Sequence, residues 1–136
     1  MSIEENKAIG PRFFQEQDRL RGGPADALCA ANYTAYIAGN PPINLEGHKQ
    51  FASMFYAGFP DLYHTVEDTV AEGDRVAVRF TLRGTHTGNF MGIPPTGKSI
   101  TVSAIAVMHI VGGKITELRG EFDQMGMMQQ LSVIPG

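Results

Sequence analysis

The second half of the chain alternates apolar and polar residues with a period of two, which predicts extended strands. Residues 62–70 and 76–83 each place their apolar side chains on one face, and a turn-forming segment separates them. Two further runs rich in β-branched residues flank Gly112-Gly113. A glycine pair between such runs favours a tight hairpin, because glycine tolerates positive φ. The pattern predicts about four long antiparallel strands.

The first half shows the 3.6-residue spacing of helices instead. Residues 4–20, 25–31 and 47–57 carry apolar side chains three or four positions apart, which predicts three helices. Two consecutive prolines end residues 33–42, so we expect an irregular connection there. The fold class is therefore α+β, with three N-terminal helices packed on a strongly curved antiparallel sheet of about four long strands.

Composition narrows the classes of protein that fit. The 136 residues predict one domain over 1–136, and 43% hydrophobic residues are enough for a core. The net charge is −3 with no basic block, which argues against a nucleic-acid or membrane partner. The lone Cys29 excludes an internal disulfide, and the charged N-terminus lacks an apolar signal core. We therefore expect a cytoplasmic protein.

The last predicted strand carries one acid at its end, Asp123, between Phe122 and an amide- and Met-rich tail. A carboxyl group beside apolar residues can have a raised pKa that suits it to proton transfer. Alternatively, Asp123 caps the following segment or lies in solvent. The local sequence leaves both interpretations open.

Three segments resemble the SnoaL-like polyketide cyclase family, also called ester cyclases: FPDLYHTVEDTVAEGDRVAVRFTLRG, THTGNFMGIPPTGKSITV and GGKITELRGEFD. The resemblance extends over nearly the whole chain and implies the cone-shaped superfamily of nuclear-transport-factor-like folds. It further implies a bent sheet that encloses a deep apolar pocket. The expected activity is an intramolecular aldol ring closure that uses neither a metal nor an organic cofactor.

The same resemblance implies that the catalytic acid/base is an aspartate of the final strand, which Asp123 matches. Two positions depart from the family pattern. Leu118-Arg119 stands where many relatives have His-Trp, and the segment from Tyr33 to Tyr36 stands where many have Tyr-Val-x-His. Both positions belong to the pocket wall in relatives, so we expect a different substrate.

An aldol closure also needs a donor that stabilises the enolate oxygen. His109 is the first candidate for this helper role, because it lies on the strand paired with the strand of Asp123. Tyr36, Tyr33 and Asn32 are the other candidate donors.

His109 and Asp123 can share a pocket only if one strand contains an extra residue. A two-residue turn places His109 opposite Thr116, so that it shares a face with Leu118 while Asp123 points to the other face. Gly120 is the natural position for such an insertion, and we predict a β-bulge near it.

Other side chains are candidate contacts for a substrate. His64 lies on an apolar strand face and is either a pocket residue or a surface histidine, whereas His48 is expected to be exposed at a helix start. Phe55, Phe90 and Met91 are further candidates, the last two by closing the pocket mouth or by forming an interface. The histidines have no ligand spacing with Asp or Glu, so we expect no metal site.

The sequence favours an enzyme, a cofactor-independent cyclase, lyase or isomerase that acts on a hydrophobic carbonyl compound. The catalytic residues would be Asp123 and His109, and the substrate-binding residues would include Leu118 and His64. One alternative is a non-catalytic protein that binds a small hydrophobic ligand in the same pocket, and another is an oligomeric accessory domain whose sheet face is the functional surface. The resemblance also implies a homo-oligomer, either a dimer or a tetramer.

Overall fold

The computed structural model describes residues 2–134 and has three α-helices in that range. They are α1 (Ile3–Leu20), α2 (Leu45–Gly58) and α3 (Gln124–Gln130). Ser2 and Glu5 form a reciprocal capping box at the start of α1. The side chain of Asn44 accepts a hydrogen bond from the backbone of Gly47 and caps α2. These polar caps satisfy backbone N–H groups that have no partner within the helix.

Six strands complete the described part of the chain: β1 (Cys29–Ile37), β2 (Ile43–Asn44), β3 (Tyr63–Glu72), β4 (Arg75–Thr85), β5 (Ser99–Val111) and β6 (Lys114–Phe122). They form one sheet in the order β2-β1-β6-β5-β4-β3. The four long antiparallel strands expected from the alternation are β3 to β6. The sheet as a whole is mixed, because β1 pairs with β6 in parallel.

Two expectations for the first half are wrong. A single 3₁₀ turn at Asp26–Leu28 replaces the expected second helix and leads directly into β1. Residues 33–37, expected to be irregular, belong to that strand. Tyr33 and Ala35 both point inward and are buried. Pairing with β6 and burial of alternate side chains therefore override the helical preference of this alanine-rich segment. The helices expected over residues 4–20 and 47–57 are confirmed as α1 and α2, whereas α3, which follows β6, was not expected.

The hairpin between β5 and β6 is confirmed. Gly112 and Gly113 have φ angles of 58° and 77° and connect the two strands directly. Both angles lie in the left-handed region, which glycine adopts without steric cost.

The predicted bulge near Gly120 is wrong, and the extra residue lies four positions earlier. His109 pairs with Glu117 and Ile110 pairs with Ile115, which leaves Thr116 unpaired. The hydroxyl of Thr116 donates to the carbonyl oxygen of His109 at 3.1 Å and stabilises this bulge. Pairing is then regular through Gly120 to the end of β6. Consequently, Gly120 faces the inner side of the sheet and His109 faces the outer side.

The core lies between the inner face of the sheet and the helices. Gly10 sets how closely α1 approaches β4, because a Cβ at this position would lie 2.7 Å from Val78. This close approach brings the second half of α1 against the apolar side chains of β3 and β4. Within residues 2–134, no helix is both long and apolar enough to cross a bilayer.

Candidate active site

A cavity of about 90 Å³ lies between α1, α2 and the inner face of the sheet. One water molecule needs about 10–15 Å³ of such space, so the cavity has room for a group of several heavy atoms. Aromatic and aliphatic side chains form most of its lining, including Phe13, Phe14, Phe55, Phe80, Leu82 and Leu118. A charged group inside such a lining loses much of its hydration. Polar side chains that reach this cavity are therefore the main candidates for chemistry.

Asp18, near the end of α1, organises the first polar cluster of the cavity. Its Oδ1 lies 2.7 Å from Nδ1 of His64 and accepts a hydrogen bond from the Tyr56 hydroxyl at 2.7 Å. Its Oδ2 accepts a hydrogen bond from the backbone N–H of His64 at 2.8 Å. His64 and Tyr56 both line the cavity. Three elements, α1, α2 and β3, thus converge on one carboxylate.

The electrostatics of this cluster favour an ionised Asp18. Burial alone would raise its pKa, but the hydrogen bonds from the ring and backbone of His64 and from the hydroxyl of Tyr56 favour the ionised form, and the pKa is lowered. Burial, together with the hydrogen bond to Asp18, raises the pKa of Tyr56, so this hydroxyl stays protonated. An ionised carboxylate only accepts hydrogen bonds, so the proton between the two side chains belongs on Nδ1 of His64. The second ring nitrogen of His64, Nε2, has no partner among residues 2–134 and is not sealed by protein atoms.

His48, in the first half of α2, is the second polar group of the lining. Its Nδ1 lies 2.7 Å from the hydroxyl oxygen of Tyr33, and the His48 residue is only 5% exposed. The expectation of an exposed histidine is therefore wrong, because His48 lies on the same helix face as Ala52 and Phe55. Burial lowers the pKa of His48 to about 4, so the ring is neutral at physiological pH.

Gln17 adds a neutral polar group to the same space. It lines the cavity and is 4% exposed. Its amide makes no hydrogen bond to the described residues, and protein atoms do not cover it completely. An amide in this position can donate to, or accept from, a bound ligand.

The structure does not bring Asp123 and His109 together. Asp123 follows β6 and is exposed, and its Oδ1 accepts a hydrogen bond from the Gly126 backbone at 2.9 Å, capping α3. It borders a separate surface depression. His109 lies on the outer face of the sheet, where its Nε2 is 2.6 Å from Oδ2 of Asp74. From β6 the cavity lining includes Leu118, Gly120 and Phe122 together with one acid, Glu121, which is largely exposed to solvent.

The expected substrate contacts divide into two groups. His64, Phe55 and Leu118 line the cavity. The others lie elsewhere: Asn32 and Met91 are exposed, Tyr36 stacks under the guanidinium of Arg119 on the outer face, and Phe90 is buried behind Phe55. Tyr33 reaches the cavity indirectly, through its hydrogen bond to His48.

Sequence reasoning missed Asp18, Tyr56, His48 and Gln17. One usable signal was Asp18, an acid four positions after Phe14 on the buried face of α1. The spacing of His48 to Ala52 and Phe55 was another. Among residues 2–134, no group of three His, Cys, Asp or Glu side chains is arranged to hold a metal ion.

Comparisons with known proteins agree with this architecture. The model of the SnoaL-like polyketide cyclase family matches residues 12–131. Over 92 residues the chain is 35% identical to the aklanonic acid methyl ester cyclase DnrD of Streptomyces peucetius, covering 64% of this chain and 63% of DnrD. The chain thus spans less than two thirds of that relative.

Two solved structures extend the likeness to nearly the full chain. AclR of Streptomyces galilaeus, provisionally named a hydroxylase, has a TM-score of 0.88 at 26% identity, covering 99% of this chain and 85% of AclR. A SnoaL-like protein from Jannaschia sp. CCS1 has a TM-score of 0.84 at 26% identity, covering 99% of this chain and 97% of its own. Since the names of these relatives include both a cyclase and a hydroxylase, the fold alone does not specify the reaction.

Proposed function

This chain belongs to the SnoaL-like polyketide cyclase family, and from that premise we propose that it catalyses an acid/base ring closure of a hydrophobic carbonyl compound. The observation that carries the proposal is the 2.7 Å contact between Nδ1 of His64 and Oδ1 of Asp18 in the wall of an apolar cavity. A histidine whose outer nitrogen faces a substrate and whose inner nitrogen is held by a carboxylate is an effective general base. The proposed base is therefore His64 rather than Asp123.

The proposed reaction is an intramolecular aldol addition. Nε2 of His64 removes a proton from the carbon next to a carbonyl group. The resulting enolate carbon attacks a second carbonyl carbon of the same molecule, so that one C–C bond forms and the C=O π bond opens to an alkoxide. The protonated His64 then returns its proton to that alkoxide. No oxidant, reductant or second substrate is consumed.

Asp18 and Tyr56 have positioning roles in this scheme. The carboxylate of Asp18 holds the proton on Nδ1 and stabilises the imidazolium that forms when Nε2 takes a second proton. Tyr56 and the backbone of His64 hold the carboxylate in place through hydrogen bonds of 2.7 and 2.8 Å. The free amide of Gln17 supplies a polar contact for an ester or keto oxygen of the substrate.

The test is turnover, followed by chromatography of the product. Two series of substrates are tested. The first is aklanonic acid methyl ester, which appears in the name of DnrD, and the second consists of smaller aromatic β-keto esters. We expect wild-type protein to form a cyclised product from at least one member, and His64→Gln to form it much more slowly. Tight binding without turnover in either series would instead support a ligand-binding protein.

We also propose that the protein is a cytoplasmic homo-oligomer that associates through the outer face of the sheet. Ile105, Val107 and Val111 alternate along β5 on that face and are 45%, 36% and 54% exposed, and apolar side chains grouped on one exposed face are typical of an interface. Cys29 is a free, buried thiol, which fits a reducing compartment. Light scattering of the wild type and of Val107→Lys tests the interface, since a lysine at its centre should shift an oligomer toward the monomer.

A further inference from the structure

The geometry points to His48 as a second catalytic residue, a neutral imidazole whose Nε2–H donates to the enolate oxygen while His64 acts as the base. This inference rests on the proposed function, because it assigns the oxyanion donor of the same reaction. It uses a different element, α2, and a different hydrogen-bond partner, Tyr33. This role requires that Nε2 of His48, rather than Nδ1, carries the proton.

The hydroxyl of Tyr33 decides that question. Tyr33 is 1% exposed, and among residues 2–134 its oxygen contacts only Nδ1 of His48, at 2.7 Å. If Nδ1 carried the proton, the O–H of Tyr33 would be buried without an acceptor, which is costly. If Tyr33 donates instead, both groups are satisfied. Nδ1 is therefore the acceptor, and the proton of the neutral ring is on Nε2.

The ring is also neutral. His48 is packed among Phe13, Phe51 and Tyr33, with ring centroids 6.1, 6.4 and 5.9 Å away. This burial lowers the pKa of His48 to about 4. Burial likewise raises the pKa of Tyr33, so its O–H remains a donor. No carboxylate contacts the pair in the described part of the chain.

Nε2 is the ring nitrogen of His48 that remains available to a ligand in the cavity. His48 lines this space, Nδ1 is occupied by Tyr33, and Nε2 has no protein partner within residues 2–134. Protein atoms do not cover Nε2 completely. An N–H donor in a water-poor, apolar cavity stabilises a developing oxyanion more strongly than the same donor in water.

The two histidines thus carry opposite tautomers. Asp18 fixes the proton of His64 on Nδ1, which leaves a lone pair on Nε2, and Tyr33 fixes the proton of His48 on Nε2. One ring accepts a proton from the substrate carbon, while the other donates a hydrogen bond to the substrate oxygen. Enolate formation needs both functions at once.

The first experiment measures the tautomers directly. Long-range ¹H–¹⁵N correlation spectra of the full chain, labelled with ¹⁵N-histidine, identify the protonated nitrogen of each ring. The expected result is a neutral Nε2–H form for His48, with a second population appearing in Tyr33→Phe. A protonated Nδ1 on His48, or a spectrum that Tyr33→Phe leaves unchanged, would overturn the inference.

The second experiment measures oxyanion binding with 4-nitrophenol, whose phenolate is a stable analogue of an enolate and has its own absorbance band. We expect His48→Leu to weaken phenolate binding by about 10-fold or more, and His48→Gln, whose amide N–H lies near the position of Nε2, to lose less. Circular dichroism checks that each variant is folded. If His48→Leu does not fold, Tyr33→Phe replaces it in the binding measurement, because phenylalanine keeps the shape of the ring and removes only the hydroxyl. Equal affinity in wild type and His48→Leu contradicts the inference.

Both experiments are independent of turnover. If no substrate is cyclised, the proposed function fails while the tautomers and phenolate binding still stand. If cyclisation is found but His48→Leu keeps the wild-type kcat, the proposed function stands and the role of His48 is wrong.

Discussion

Nδ1 of His64, which lines the cavity, lies 2.7 Å from Oδ1 of Asp18. The chain contains a second histidine–aspartate pair of nearly equal length, His109 with Asp74 at 2.6 Å, on the outer face of the sheet. The two pairs share their chemistry and differ in their surroundings. Substitutions in the two pairs therefore show whether turnover depends on the position of a histidine–aspartate pair in the cavity or only on the presence of such a pair.

His64→Gln should lower kcat by about 10²–10⁴-fold, the usual contribution of a general base. The amide of glutamine can still contact Asp18, but it cannot take a proton at neutral pH. Steady-state kinetics on the substrate found in the turnover assay measure the loss, and thermal unfolding verifies the fold.

His109→Gln is the matched control for that experiment. It breaks the pair with Asp74 outside the cavity, so kcat should stay within about 2-fold of wild type. The free energy of unfolding should change little, because solvent screens an exposed pair. A large loss of kcat in His109→Gln, with His64→Gln active, would reverse our assignment.

Asp123 should matter for stability rather than for chemistry. Asp123→Ala removes the cap of α3 and should reduce the free energy of unfolding by about 1 kcal/mol, whereas Asp123→Asn preserves a capping oxygen and should change it little. Urea denaturation measures both. If Asp123→Asn is stable but inactive, Asp123 takes part in catalysis despite its exposed position.

The buried His48 should make stability depend on pH. Its pKa is about 4 in the folded state against an ordinary value of 6.5, so the unfolded chain binds a proton in this interval and the folded protein does not. The free energy of unfolding should therefore be fully retained above the unfolded pKa and fall by about 3 kcal/mol as the pH drops to about 4.

Urea denaturation of wild type and His48→Gln across this interval tests the linkage. In the variant, the free energy of unfolding should depend much less on pH between the two pKa values. Identical slopes would mean that another group carries the pH dependence.

Gly120 should control the space available to a ligand. A Cβ at this position would have no contact closer than 3.4 Å, to Leu118, so a side chain can enter from β6 without displacing backbone. Gly120→Val should leave the free energy of unfolding within about 1 kcal/mol of wild type, since glycine is a weak strand former. Affinity for 4-nitrophenol should fall by at least about 10-fold.

Ser103→Leu adds a comparable side chain on the outer face, where Ser103 is exposed, and is the control for Gly120→Val. It should leave 4-nitrophenol affinity unchanged. Equal binding by wild type and Gly120→Val would place the ligand away from β6.

The sequence predicted those parts of the fold that depend on local pattern. Alternation located the four long strands, and the glycine pair at residues 112–113 located the hairpin. The same reasoning failed for β1, because its pairing with β6 is a parallel contact between segments far apart in the chain. It also failed for the register of β6, since nothing in the local pattern marks Thr116 as the bulged residue.

The candidate site was harder to predict than the fold. The family resemblance drew attention to the last strand, but one displaced bulge decides which of its side chains face inward. The cluster around Asp18 joins residues of three elements, and two of its members, Asp18 and Tyr56, are 38 positions apart. Such a convergence appears only when α1 and α2 are packed on the sheet.

The parallel contact of β1 with β6 has a further consequence for how the protein is made. Cys29 pairs with Ile115, so β1 emerges from the ribosome long before β6 exists. Until then, the edge of β1 that later pairs with β6 presents unpaired N–H and C=O groups that can associate with another chain. The sheet can be completed only when synthesis is nearly finished. Because this pairing joins segments far apart in the chain, folding should be slow relative to helical proteins of this size. A chain truncated before β6 should therefore aggregate during synthesis rather than accumulate as a smaller folded protein.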